Sequence, residues 1–350
     1  MLFSRLRLSH SISRKMVQEH SSKRPCIRIG THNGTFHCDE ALACFMLKQL
    51  PEYKDASIVR TRDSAQLAEC DIVVDVGGVY DPATHRYDHH QRSFTGTMAN
   101  LTDGKMNFNT KLSSAGLVYL HFGRRLLEQL MPNSKEDHKE IVYKRLYEYF
   151  MEEIDAVDNG INATEEKPKY HVTTTLGGRV RDLNPAWNDS NQDFDGQFVK
   201  ATELVGSELV NRVDGMVNRW LPALDIVRKA FNKRHEVHSS GKIVKFETGG
   251  CPWKEHLYQL EKQAGCEGEV QYVIYSDSNG SWRVQAVGVQ GEGFTSRLPL
   301  PESWRGVRDE KLSELTGIPD CIFVHASGFI GGNKSEEGAM EMARQALQMK

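Results

Sequence analysis

The sequence predicts an α/β fold in two parts, a parallel-sheet domain and a smaller α+β domain, joined by a helical connector. Three observations carry this. Segments read strand, helix, strand, helix, strand within about fifty residues from Ile27 to Gly77, the pattern of a parallel sheet with crossovers. An apolar stripe at helical spacing runs from Phe198 to Leu221 and is interrupted by Pro222. Past His238 the texture turns to short β-rich runs. At 350 residues, the chain also exceeds the size at which one core usually stops growing.

Ile27 to Gly30 reads as a short buried strand, and Asp39 to Leu50 as a helix with Ala41, Leu42, Phe45, Met46 and Leu50 in phase. Ser57 to Thr61 is a second strand and Ser64 to Cys70 a short helical crossover. Asp71 to Gly77 is a third strand, apolar enough to be covered on both faces. A polar loop spans Arg92 to Lys111, and helices follow from about Ser113 and over Ile141 to Val157, the latter stopped near Gly160. Lys242 to Phe246, Val270 to Tyr275 and Trp282 to Val287 are strands, the last two forming a hairpin whose Asn279-Gly280 suits a type I′ turn. Ile322 to His325 leads into a glycine-rich loop through Gly332 and a final helix from about Glu336 to Gln348. The resulting segments are 1–24, 25–190, 191–236 (the connector) and 237–350.

Hydrophobic content of 39% and charged content of 26% describe an ordinary globular protein, and the formal charge of −3 argues against a generally basic nucleic-acid coat. No apolar run approaches membrane-spanning length. Seven cysteines without a C-x-x-C pair favour a reduced compartment over a disulfide framework. Residues 1–24 are rich in Arg and Ser, and the first eighteen carry no acid, the composition of a presequence for the mitochondrial matrix.

The chemistry concentrates between His32 and His90, where five of the fourteen histidines are interleaved with carboxylates. Imidazole plus carboxylate without paired thiolates suits divalent cations that activate water. His32 and Asp75 fall just past expected strand ends, where ligands bind in parallel sheets. His32, His37 and Asp39 can converge from one loop, Asp75 can bridge two ions, and His89 can complete the second shell with Asp155 or Asp158 from a helix end. His90 is a candidate for phosphate contact or leaving-group protonation, and Asp88 for orienting His89. Two divalent ions are therefore the expected cofactors.

These residues also resemble a known family. His32 to Glu40 (HNGTFHCDE), Val73 to Gly78 (VVDVGG), Arg86 to Phe94 (RYDHHQRSF) and Glu153 to Gly160 (EIDAVDNG) are similar to the four motifs of the DHH phosphoesterase superfamily. With Cys251 to His256 (CPWKEH), Ser296 to Arg305 (SRLPLPESWR) and His325 to Gly332 (HASGFIGG), the chain more closely resembles the Myg exonuclease family (melanocyte-proliferating-gene proteins) over roughly residues 27 to 345. The resemblance implies a DHH-type catalytic domain with a smaller substrate-binding domain, and a manganese- or magnesium-dependent 3′-to-5′ exonuclease acting on single-stranded RNA in mitochondria and nucleus. It departs from the superfamily in its first motif, where His37 stands near the place of a usual aspartate, and in its glycine-rich loop, where Asn333 replaces a usual histidine. Gly328, Gly331, Gly332 and Asn333 are candidate phosphate contacts, with His325 at the start of the same segment. Arg92, Lys254, Arg297, Arg305 and Arg308 are candidates for backbone phosphates, and Trp253 or Trp304 for base stacking. Two other functions fit the same residues: hydrolysis of small phosphate esters such as pyrophosphate or very short oligonucleotides, and an inactive metal- or RNA-binding regulator.

Overall fold

The carboxyl ends of four parallel strands meet along one edge of the first sheet, and the rest of that domain is arranged around this edge. The computed structural model describes residues 26–247 and 249–349; the targeting segment read in residues 1–24 lies outside them. The first domain contains strands β1 (Arg28–Thr31), β2 (Ser57–Arg60), β3 (Ile72–Val74), β4 (Tyr80–Asp81) and β5 (Arg86–Tyr87) in the order β2-β1-β3-β5-β4. Pairs β1–β2, β1–β3 and β3–β5 are parallel, as the sequence predicts for the first three strands, but β4 runs antiparallel on the edge, so the sheet is mixed. β5 was not expected. It places Asp88, His89 and His90 at the same edge as the residues that follow β1 and β3.

Helices α1 (Cys38–Lys48), α2 (Ser64–Ala68), α3 (Met98–Leu101), α4 (Ser114–Leu130), α5 (Glu136–Leu146), α6 (Glu152–Asp158), α7 (Leu176–Arg181) and α8 (Phe194–Gly215) complete this layer. α1 packs against both α4 and α8 and is buried on nearly every face, which is why its sequence is apolar without a clean polar side. α3 forms within the predicted loop because Thr97 and Asn100 make a reciprocal cap. Between α5 and α6, Tyr147–Met151 forms a π-helical turn, so the single helix expected there is re-phased before it reaches Asp155 and Asp158. α8 continues through a second π turn at Met216–Trp220.

Phe198, Ala201, Val205 and Leu209 of α8 lie in the first core, whereas Val227, Ala230 and Phe231 of α9 (Ala223–Asn232) lie in a core with second-domain residues. Leu224 still belongs to the first core, so the passage between cores falls just past Pro222, within α9 between Leu224 and Val227. The break leaves the Trp220 carbonyl free to accept a hydrogen bond from His256 Nε2 at 2.9 Å, while Trp220 Nε1 donates to Glu255 at 3.0 Å. Arg145, at the end of α5, pairs with the same Glu255 at 2.5 Å and lies over the Trp220 ring. Glu255 and His256 come from the Cys251 to His256 segment that stood out in the sequence.

The second domain follows with α10 (Arg234–Val237), β6 (Ile243–Lys245), α11 (Lys254–Ala264), β7 (Tyr272–Ser276), β8 (Trp282–Ala286), α12 (Asp309–Thr316), β9 (Cys321–Val324), β10 (Ile330–Asn333) and α13 (Glu336–Gln348). Its sheet has the order β6-β7-β8-β10-β9, with β6–β7 parallel and the other pairs antiparallel. Alternation divides its faces: Ile243, Tyr272 and Ile274 pack with Met342 and Ala343 of α13, and Val244 and Val273 pack with α9 and α11. Two expectations change here. The β7–β8 turn is not type I′, because Asp277 accepts from the Asn279 and Ser281 amides and, of Asn279 and Gly280, only Gly280 has positive φ. The end of the expected glycine-rich loop is instead strand β10, paired on both sides, where side-chain-free Gly331 and Gly332 admit Leu300, Phe323 and Arg283. No helix among the described residues is long and apolar enough to cross a membrane.

Gly206 tests the packing of α8 on α1. A Cβ there would run into the Phe45 ring. Helix propensity alone makes Gly206→Ala stabilising by about 1 kcal/mol, whereas overpacking costs about 1–3 kcal/mol. The expected outcome is a net loss of stability in urea or thermal unfolding.

Candidate metal centre

Each strand end delivers its functional group directly. β1 ends at Thr31, followed by His32; β3 at Val74, followed by Asp75; β5 at Tyr87, followed by Asp88 to His90. Asp75 is held in the left-handed region at φ 59, while its N–H donates to Tyr87 O and its Oδ1 accepts from Ser114 Oγ at 3.0 Å. The amino end of α1 brings Asp39 and Glu40 to the same place. Glu40 accepts from the His37 amide at 2.8 Å and lies 3.1 Å from His32 Nε2.

The result is a dense cluster. Ligand-capable atoms lie within 4.8 Å of one another in four groups: His32, His37 and Glu40; Asp39, Glu40 and Asp75; Asp39, His89 and Asp158; and Asp75, His89 and His90. Asp39, Glu40, Asp75, His32 and His89 are buried, and His37 and His90 are exposed. Burial and the neighbouring Asp75, Asp158 and Glu40 push the Asp39 carboxyl well above the ordinary range. Burial disfavours charge on His32 and His89, but Asp75 and Glu40 pull the first up to about 10, and Asp158 and Asp75 pull the second up to about 9. Burial likewise opposes ionisation of Asp75, yet the imidazoles of His32 and His89 hold its carboxyl well below the usual range.

Orphaned atoms point to a missing partner. Both oxygens of Asp39 and both ring nitrogens of His89 are buried without a hydrogen bond among the described residues. His89 Nε2 lies 3.0 Å from Asp158 Oδ2 and 3.4 Å from Asp75 Oδ1, but neither contact has hydrogen-bond geometry. Buried polar groups rarely stay unpaired, and donors that converge without bonding one another are what a cation requires. The set is oxygen and imidazole nitrogen. Among the described residues no cysteine joins the converging atoms, and burial pushes the adjacent Cys38 and Cys44 thiols up.

The two open aspartates separate cleanly. Asp158 belongs to the cluster; Asp155 does not. The Asp155 carboxylate is fully buried and accepts from Ser113 N, Ser113 Oγ and Tyr147 OH at 2.8–2.9 Å. Burial raises it to about 7, against those three donors. Asp88 holds His90 rather than His89, with Oδ1 2.8 Å from His90 Nδ1 and Oδ2 accepting from the Gly78 amide at 2.6 Å. That bond to Asp88 raises the His90 pKa. Glu40 was missed in the sequence because it reads equally as the third-residue acid of a helix cap.

A cavity of about 780 Å³ opens over the cluster. Besides the acids and histidines, Arg62, Gly77, Gly78, Gln91, Val157 and the Val172 to Arg181 segment line it. All its lining residues fall between 32 and 181, and none comes from the second domain. Most second-domain candidates have partners elsewhere in the fold and lie away from the cavity. Arg297 forms a two-pronged pair with buried Glu261, and Arg305 donates to Leu300 O. Asn333 is fully buried, donating to Pro319 O and accepting from the Ser335 amide. Trp253 and Trp304 sit in cores and offer no stacking face, and the β10 ladder engages the Gly331–Gly332 backbone. Gly328, at positive φ, packs beside Arg305. Lys254, Arg308 and His325 are exposed on the second domain and Arg92 on the first. Arg62 and the α7 segment were not singled out in the sequence, since isolated arginines and a short Gly-Gly helix carry no periodic signal.

A family model named MYG1_exonuc, described as an uncharacterised protein family (UPF0160), matches residues 28–347. A Bos taurus protein named MYG1 exonuclease is 59% identical over 322 residues, covering 91% of this chain and 84% of that protein. A Homo sapiens protein of the same name is 58% identical over 322 residues, covering 91% and 85%. A Saccharomyces cerevisiae protein named MYG1 protein YER156C is 40% identical over 348 residues, covering 97% and 99%.

Two outcomes are expected here. Asp155→Ala strands three donors and should cost about 3 kcal/mol of stability, whereas Asp158→Ala should leave unfolding nearly unchanged and weaken manganese binding by about 10- to 100-fold in calorimetric titration. The His32 and His89 imidazoles hold protons below about 10 and about 9, so a cation must displace them. Manganese affinity should therefore rise with pH from about 6 to 8, with proton release measurable as a dependence of binding heat on the buffer's ionisation enthalpy.

Proposed function

The chain belongs to the MYG1 exonuclease family, and from that premise we propose that it is a metal-dependent phosphodiesterase that trims single-stranded RNA from the 3′ end. The observation that carries the reading is the set of orphaned buried atoms on Asp39 and His89 beneath an open cavity. Relatives named exonuclease support polynucleotide cleavage as the reaction. Two divalent ions, manganese or magnesium, fit the donors: one near Asp39, Asp75, His89 and Asp158, the other near His32, His37, Glu40 and Asp75. Bound there, such ions lower the pKa of a water and stabilise charge on the phosphate.

The protein's own groups divide the remaining work. Asp75 lies between the two ligand sets, oriented by Ser114. His90 lines the cavity, and its Nδ1 is tied to Asp88, which leaves Nε2 to donate a proton to the departing oxygen. Asp88 acts through His90 as a positioning residue. The composition of residues 1–24 supports a mitochondrial destination. A second reading, hydrolysis of very short oligonucleotides or small phosphate esters, is favoured by the fact that the first domain alone lines the cavity.

Purified protein with manganese should shorten a 5′-labelled RNA one nucleotide at a time and release the label of a 3′-labelled RNA at once. Asp75→Ala and His89→Ala should each abolish cleavage, and His90→Ala should slow it by about 10²- to 10⁴-fold. Cleavage of pyrophosphate or dinucleotides with intact long RNA would select the second reading, and normal cleavage by either ligand variant would remove the metal assignment.

A further inference from the structure

We propose that Arg62 and Arg181 hold the RNA phosphate adjacent to the one being cut, so that the cavity grips a chain end by charge and is indifferent to its base. This rests on the exonuclease reading above and names how that site recognises its substrate.

Elimination leads to these two residues. The cavity is dominated by carboxylates, and Arg62 and Arg181 are the arginines among its lining residues, which include no lysine. Arg62 lies two residues beyond β2, whose carboxyl end shares the sheet edge with those of β1, β3 and β5. Nearby Arg60 shows what a structural arginine looks like here. Its guanidinium donates to Asp195 at 2.9 Å and Gly34 O at 2.7 Å and lies over the Phe198 ring. Arg62 is exposed and has no ion-pair or side-chain hydrogen-bond partner among the described residues. Arg181 closes α7, and its acidic neighbour Asp182 is 3.5 Å away with both side chains over 70% exposed, a pairing that contributes little. Both guanidinium groups are thus available to a phosphate, which Arg recognises with two parallel bonds.

Base selectivity needs fixed donors and acceptors, and the lining has few to spare. The Gln91 amide nitrogen donates to Asp88 O, which leaves its Oε1 as a buried acceptor without a partner among the described residues, and Thr175 Oγ1 caps the Gly178 amide. Hydrocarbon also faces the cavity: Val157 and Val172 are 55% and 62% exposed. A base covering those valines gains burial whichever base it is.

The test uses the full chain and short single-stranded oligoribonucleotides, with fluorescence anisotropy in calcium for binding and manganese for turnover. Arg62→Ala and Arg181→Ala should each weaken binding about tenfold, and each should flatten the dependence of log affinity on log salt by about 0.7. In turnover the loss should fall on KM rather than kcat, and Arg62→Lys should restore the salt slope. Oligomers of A, C and U should bind alike. Unchanged affinity and slope in both alanine variants would overturn the phosphate assignment while leaving the exonuclease reading intact, and a strong preference for one base would overturn the indifference. If the unaltered protein neither binds nor cuts these oligomers, the exonuclease reading falls and this inference with it.

Discussion

Four carboxylates, those of Asp39, Glu40, Asp75 and Asp158, share one small volume, the first three buried. Two like charges about 4 Å apart repel by roughly 4 kcal/mol at an effective dielectric of about 20. The cluster relieves part of this repulsion by holding the Asp39 carboxyl well above its ordinary range, towards the neutral form. The first domain is built against this repulsion. β1, β3 and β5 anchor His32, Asp75 and His89 through sheet pairing, buried α1 carries Asp39 and Glu40, and the π turn before α6 re-phases Asp158 into the cluster. Protonated His32 and His89 offset part of the negative charge, and a cation offsets more.

Features with a periodic or patterned signal were legible in the sequence. The strand–helix alternation gave β1, α1, β2 and α2 within a residue or two, β3 ended three residues earlier than expected, and α13 fell on its predicted bounds. His32 and Asp75 stood out by lying beyond expected strand ends and His89 by its place in the Asp-His-His run, and the fold brings all three into one cluster. Features set by tertiary context were not legible. β10 is a strand because Gly331 and Gly332 let Leu300, Phe323 and Arg283 approach, and glycine carries no strand signal of its own. Asp155 and Asp158 lie on one short helix, and only the re-phasing by the π turn decides which faces Ser113 and Tyr147 and which faces His89. Arginine by itself does not announce whether it is free: Arg60, Arg297 and Arg305 are engaged, whereas Arg62 has no side-chain partner among the described residues.

The cores of the two sheets are linked by a set of polar contacts. Trp220 sits at its centre, with Arg145 on its ring, Glu255 on its indole N–H and His256 on its carbonyl. Because that carbonyl can only accept, His256 must carry its proton on Nε2, and Nδ1 is buried without a partner among the described residues. Burial lowers the His256 pKa, consistent with a neutral ring. The Cys251 to His256 segment thus serves the joint between domains, and the metal cluster is completed without it.

The left-handed backbone at Asp75 narrows what evolution can place there. Positive φ admits Gly, Asn and Asp at little cost and penalises most other side chains, β-branched ones above all. Of those three, only Asp supplies an anion. Conformation and chemistry each reject most of the amino-acid alphabet at this position, for unrelated reasons, and they overlap on one letter. A drifting sequence therefore has no gradual route away from Asp75: the nearest acidic substitute, Glu, keeps the charge but lacks the short side chain that tolerates this backbone, and Asn keeps the backbone but discards the charge.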